Sequence, residues 1–287
     1  MDFLRIVFTL TIFFLFAPTV LTQTTQLDIP SLIRECERNL RQYEGVYDYA
    51  FKQKQTIRFF DKSGELKKEE VETFEAYPTR NRQNLVLVKL SENGVPLSPE
   101  KIAAGRKRAV KQIEEAERRK NSEPQSKTPN ESGFVRLGFS DFLRAGEFSN
   151  PRRVRFRDRD AVILDFRPRV DFRPTSRMES VVSNLIGSIW IDVEKKQVMR
   201  LEARPSDNGY KTSSKPIGII HPNAAFVMEQ KLTPEGDWLL SLWHLDTVSR
   251  PALFNNTALN FTFEFSDFRR FNSNIENYEI NEPKSKP

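Results

Sequence analysis

The sequence predicts a mainly β protein with helices, an α+β chain whose curved antiparallel sheet wraps an N-terminal helix and one or two others. Three observations predict it. From Tyr47 onward apolar and polar residues alternate in segment after segment, the period of half-buried strands. Short turn signals, not helical crossovers, join the first of these segments. The 287 residues also carry 23 Phe, an aromatic content that a packed sheet uses and a disordered chain lacks.

Ile29 to Tyr43 is expected to be helical. Pro30 suits a first turn, Ile33, Cys36, Leu40 and Tyr43 fall three or four apart, and Gly45 ends the run. A long strand follows, with Tyr47, Tyr49, Phe51, Gln53, Gln55, Ile57 and Phe59 on one face and Asp48, Ala50, Lys52, Lys54, Thr56 and Arg58 on the other. Asp61-Lys62-Ser63-Gly64 turns it. Strands at Leu66–Tyr77 and Leu85–Leu90 complete a meander that Asn93-Gly94 breaks.

Ser98 to Asn121 is a long charged helix with a thin stripe of Ile102, Ala103, Ala109, Val110, Ile113 and Ala116. It reads either as a basic lid or membrane-surface helix, or as a solvated helix packed lightly on a sheet. A stripe without Trp, Phe or Leu favours the second. Asn121 to Gly133, rich in Pro, Ser and Asn, reads as a mobile loop, so that helix and loop (98–133) form an insertion in one fold.

A short helix is expected at Asp141–Ala145, then strands at Arg153–Arg157, Ala161–Arg167, Leu185–Val193 and Gln197–Ala203. Nine Arg and four Asp crowd Arg152–Arg177; that face either binds phosphate or carries Arg–Asp cross-strand pairs, and the second is the plainer reading. Pro205 to Pro222 is a polar loop. Strands at Ala224–Leu232, Trp238–Thr247 and Leu259–Phe268 close the chain, the last with Leu259, Phe261, Phe263 and Phe265 on one face. The organisation is a signal peptide over 1–22, one domain over 23–272 and a flexible tail over 273–287.

The signal peptide rests on Ile6 to Ala17, a twelve-residue apolar run too short to span a bilayer, followed by Pro18 and small or polar residues. Cleavage near Thr22–Gln23 gives an exported, periplasmic chain; an uncleaved signal anchor is the alternative. Net charge is +6 with pI near 9.3, and export leaves an anionic membrane or envelope polymer, not nucleic acid, as the polyanion to meet. Mean hydropathy of −0.56 excludes a polytopic helical membrane protein. One cysteine, Cys36, excludes an internal disulfide and a cysteine zinc site, and two histidines, His221 and His244, exclude a three-histidine metal site. Cys36, on a helix stripe, reads as a buried inert thiol.

No catalytic or cofactor motif occurs: no GxSxG, HExxH, GxxxxGK[ST] or GxGxxG. His244 and Asp246 share a strand face and make the one acid/base candidate, although a sheet-surface pair is the plainer reading. No enzyme, cofactor or metal is expected. What stands out is aromatic. Tyr47, Tyr49, Phe51, Trp190, Phe226, Met228, Trp243, Phe261 and Phe263 fall on expected strands, where they either line a concave pocket for an acyl chain or apolar peptide or fill an ordinary core.

The order of segments also resembles a known group. A signal peptide and helix lead into YEGVYDYAFKQKQ and a DKSGEL turn; GSIWIDVEKKQVMRLEA follows mid-chain, then EGDWLLSLW and FTFEFSDFRRF. This is similar to the LolA- and LolB-type periplasmic lipoprotein carriers, nearest to outer-membrane lipoprotein-sorting-like proteins. The resemblance implies an incomplete β-barrel lidded by helices, an apolar cavity for acyl chains of lipoproteins or other lipids, and no catalysis. The charged Ser98–Asn121 helix and the Pro205–Pro222 loop stand outside the family pattern. Two functions remain in view: a lipid or lipoprotein carrier whose partners include an anionic membrane surface or an envelope protein, and an envelope scaffold with a filled core.

Overall fold

The computed structural model describes residues 27–42, 48–61, 63–79, 85–120, 138–175, 177–206, 210–211, 219–220, 225–249 and 257–270. The expected signal segment, the Asn121–Gly133 loop, the tail, Tyr47 and His221 lie outside them. The first half holds α1 (Ile29–Gln42), β1 (Tyr49–Phe60), β2 (Leu66–Pro78), β3 (Leu85–Glu92), β4 (Val95–Pro96), α2 (Pro99–Lys120) and α3 (Phe139–Ala145). The second holds β5 (Gly146–Phe156), β6 (Arg159–Pro168), α4 (Arg177–Val182), β7 (Leu185–Asp192), β8 (Gln197–Pro205), β9 (Tyr210–Lys211), β10 (Ile219–Ile220), β11 (Phe226–Leu232), β12 (Trp238–Ser249) and β13 (Thr257–Arg270).

The main path of strands is one antiparallel sheet in the order β4-β3-β2-β1-β13-β12-β11-β8-β7-β6-β5, left open at β4 and β5 as in an incomplete barrel. The first and last strands of the chain's sheet segments pair at its centre: β1 meets β13 from Tyr49↔Arg270 to Phe60↔Ala258. Residues opposite one another across antiparallel strands share a face, so the register separates two faces.

The inner face carries the main core. α1 contributes Leu32, Ile33 and Cys36, α3 contributes Phe139, Phe142 and Leu143, and α4 contributes Val181 and Val182. They bury Val162, Leu164, Ile189, Ile191, Leu201 and Met228 of the sheet. A fully buried side chain of this kind is worth about 1.5–3 kcal/mol over its exposed state, which is why the short helices hold. Asp28 starts α1 by accepting from the Ser31 amide at 3.1 Å. Asp141 starts α3 by accepting from the Gly138 amide at 3.0 Å. Burial pushes the Cys36 thiol up to about 12, so it is a packing group and not a nucleophile.

α2 lies on the other face. Ala109 and Ile113 pack with Ala50, Tyr77 and Val88, a small cluster. Gly105 allows the close approach, since a Cβ there would sit 3.1 Å from Val88 Cγ1. The contact is pinned by Glu75, 3% exposed, which accepts from Arg106 Nη2 at 3.1 Å and from Arg269 Nη2 at 2.5 Å. Burial alone would raise the Glu75 pKa, but hydrogen bonds from Tyr77, Arg269 and Arg106 override it and hold the carboxyl below its usual 4.5. A carboxylate depressed in the folded state stabilises the fold above its unfolded pKa and loses that contribution as pH falls through the folded value. The melting-temperature gap between wild type and Glu75→Gln should therefore narrow below about pH 4.5. A gap independent of pH contradicts the pin.

Several elements differ from expectation. β5 begins at Gly146, seven residues before the expected Arg153, because the strand continues through a bulge: Asn150 takes φ 52° and the register shifts between Ser149 and Arg152. α4 falls where no element was expected; it is six residues long, and Glu179 supports its start by accepting from the Thr175 amide at 2.7 Å. The Pro205–Pro222 stretch contributes two short strands, β10 beside β12 and β9 beside β10. Asn93-Gly94, with φ of 51° and 76°, makes the tight hairpin from β3 to β4.

Candidate functional site: an aromatic strip on the inner face

Ring contacts run without a break from the closed core onto the central strands. Phe166 meets Phe142 at 5.5 Å, Phe142 stacks on Phe226 at 5.6 Å with 12° between planes, Phe226 meets Trp243 at 5.5 Å and Trp243 meets Phe263 at 5.6 Å. Such offset or edge-on pairs add about 0.5–1.5 kcal/mol each beyond area burial. The register explains the alignment: Phe226 lies opposite Leu245, Met228 opposite Trp243, Trp243 opposite Phe263 and Leu245 opposite Phe261. On β1, Gln55 faces Phe263, Ile57 faces Phe261 and Phe59 faces Leu259.

Burial falls along this strip. Phe142 is 0%, Phe226 3% and Phe263 8% exposed. Trp243, between the last two, is half-buried, as are Leu259, Phe261, Phe265, Ile57 and Phe59 further out. On this face, among the described residues, α1 packs on β8 and β5 and α3 and α4 join the same core, so the helices cover the strip at its β5–β12 end. β2 then closes the strip with charge: Lys68 stands opposite Phe59, Glu70 opposite Ile57 and Glu72 opposite Gln55. Lys68 Nζ lies 2.5 Å from Glu70 and 5.8 Å from the Phe59 ring centre. The result is an apolar floor between a helix-covered core and an ionic rim.

The sequence-expected residues divide into three groups. Phe226, Met228, Trp243, Phe261 and Phe263 come together on the strip, with Phe226 under Phe142 of α3. Tyr49 and Phe51 share that face of β1 but are 1% exposed and close its far end. Phe51 packs on Phe265 and Phe268, and Tyr49 donates to Asp237 Oδ2 at 2.5 Å, with burial pushing its pKa up. Trp190 is not part of the strip. It lies opposite Arg200 on the other face, with Phe156 at 6.4 Å and the Arg200 guanidinium 5.9 Å from its ring. Ile57, Phe59, Leu259 and Phe265 were not singled out in the sequence. Their alternation was visible there, but only the β1–β13 register places Ile57 and Phe59 beside Phe261 and Leu259.

The outer face answers two other expectations. Most arginines in and beside β5 and β6 are engaged: Arg152 holds Asp165 at 2.6 and 3.0 Å, Arg167 holds Glu147, Arg157 holds Glu229 together with Arg200 of β8, and Arg159 holds Asp192 and Glu194. Hydrogen bonds from Arg152, Asn150 and Ser188 keep Asp165 ionised well below the usual carboxylate range. His244 Nδ1 is 2.9 Å from Thr262 Oγ1 and Nε2 is 3.3 Å from Asp246 Oδ1, while Asn260 Nδ2 also donates to Asp246. A hydroxyl, an imidazole and a carboxylate are thus in line. β13 is paired on both sides, however, so its ladder amides are not free to stabilise an oxyanion. Among the described residues no three His, Cys, Asp or Glu side chains gather to hold a metal, and no helix is long and apolar enough to cross a membrane.

No family model matches the sequence, and no curated protein matches it. Among solved structures the chain is similar to one described as an outer membrane lipoprotein-sorting protein domain from Vibrio parahaemolyticus, at 10% identity over 83% of this chain and 92% of that one, with a TM-score of 0.34. It is also similar to a DUF1329 family protein from Desulfovibrio piger, at 8% identity over 84% and 92%, with a TM-score of 0.35. MucB in complex with MucA(peri) aligns at 9% identity over 83% and 94%, with a TM-score of 0.24. At these values neither cargo nor partner passes from those proteins to this chain.

Proposed function

We propose that the chain is an exported, non-enzymatic binding protein that holds a lipid, an acyl chain or a lipoprotein's acyl chains against the aromatic strip. The observation that supports this reading is the unbroken ring series from Phe142 to Phe263 leading out to half-buried Phe261, Leu259, Ile57 and Phe59. A hydrocarbon chain laid there extends the core and gains about 0.8 kcal/mol per buried methylene. The mixed charges of Lys68, Glu70 and Glu72 at the rim keep a polar head group in water. The apolar run at Ile6–Ala17, read as a signal peptide, supports export.

The test is uptake of a fluorescent fatty acid by delipidated protein. Saturable binding, with Trp243 emission quenched as the ligand fills, is the expected result. Absence of saturable binding at high micromolar ligand contradicts the reading. A natively purified protein that retains a protein partner but yields no lipid in mass spectra of organic extracts would instead make the chain an envelope scaffold.

A further inference from the structure

From Lys101 through Gln112, α2 carries Lys101, Arg106, Lys107, Arg108 and Lys111 and no carboxylate. Arg106 turns inward to Glu75. The other four are exposed and make no ion pair among the described residues. This sets them apart from the β5–β6 arginines, most of which are held by carboxylates. With Ala109 and Ile113 fixed on the sheet, the helix cannot turn these cations inward. Over these residues the helix rises about 15 Å, so the charges form one short outward stripe. Its buried apolar residues, Ala109 and Ile113, are spent on Val88, Tyr77 and Ala50, which leaves electrostatics, not insertion, as the means of contact.

We propose that the outward face of α2 docks the protein on an anionic phospholipid surface through Lys101, Lys107, Arg108 and Lys111. A bilayer presents fixed negative charge in two dimensions, which a stripe of flexible, unpaired cations can meet without a matched pocket. Each cation near such a surface favours binding about fivefold, so the four together favour it several-hundred-fold at low salt. The attraction falls within a Debye length of about 8–10 Å and weakens as salt rises. This inference stands apart from the aromatic strip, which lies on the opposite face, and holds or fails without it.

The experiment is co-sedimentation of the full chain with vesicles of phosphatidylcholine alone or with phosphatidylglycerol added. Binding that requires phosphatidylglycerol and declines with salt is expected. The variant Lys101→Gln/Lys107→Gln/Arg108→Gln/Lys111→Gln should lose it by a hundredfold or more while melting like wild type. A variant with the same charge loss from scattered exposed sites, Arg153→Gln/Arg173→Gln/Arg204→Gln/Lys231→Gln, should keep most of it. All three proteins carry the same amino-terminal segment, so their differences read the cations alone. Equal loss in both variants, or equal binding to phosphatidylcholine, overturns the proposal. Retention on polyglutamate without vesicle binding also overturns it and makes the partner an acidic protein.

Discussion

Phe142→Ala should destabilise the protein by about 3–5 kcal/mol, the range for removing a buried aromatic ring. Phe142 is 0% exposed and touches Phe166 on one side and Phe226 on the other. It is also the residue through which α3 is seated on the sheet, beside Leu143 and Phe139. The cavity left behind is walled by β6 and β11, whose positions are fixed by their ladders, so collapse around it is limited. In urea unfolding the midpoint should fall with little change of slope. A loss under about 1 kcal/mol would mean that α3 is not the keystone of the inner core.

Gly187→Ala should be comparably severe, for a different reason. Gly187 lies between Phe166 on β6 and Ala203 on β8. A Cβ there would stand 1.9 Å from the Glu202 carbonyl oxygen and 2.9 Å from the Ala203 Cα, and both are backbone atoms that no rotamer change can clear. β7 and β8 would have to part, at the upper end of the roughly 1–3 kcal/mol that overpacking costs or beyond it. Gly64→Ala is the control. Gly64 has φ 84° but nothing within 4 Å, so its cost is only the roughly 1–2 kcal/mol of left-handed backbone. Equal melting temperatures for the two variants would contradict the close approach of β7 and β8.

The strands were legible where alternation was regular, as at Leu259–Phe265, because one face meets core and the other water. α1 and α2 were legible from three- and four-residue spacing and from Pro30 and Pro99 in their first turns. What the sequence could not carry was long-range register. Trp190 sits on a strand as regular as that of Trp243, yet the Trp190↔Arg200 pairing puts it on the opposite face. Short and irregular features also escaped: α4 spans fewer than two turns, and the bulge between Ser149 and Arg152 hides the first half of β5. The face chosen by α2 depends on Glu75 meeting both Arg106 and Arg269, residues far apart in sequence.

The most direct test compares fatty-acid affinity in two variants that differ in face. Phe261→Gln with Ile57→Gln places amides on the half-buried floor of the strip, where both side chains are paired across β13 and β1. Trp190→Ala removes a larger ring from the outer face. Binding should weaken at least about tenfold in the first, equivalent to 1.4 kcal/mol, and stay within about twofold of wild type in the second. Affinity lost with Trp190 and kept without Phe261 and Ile57 would show that the ligand, if one binds, lies elsewhere than on the inner face.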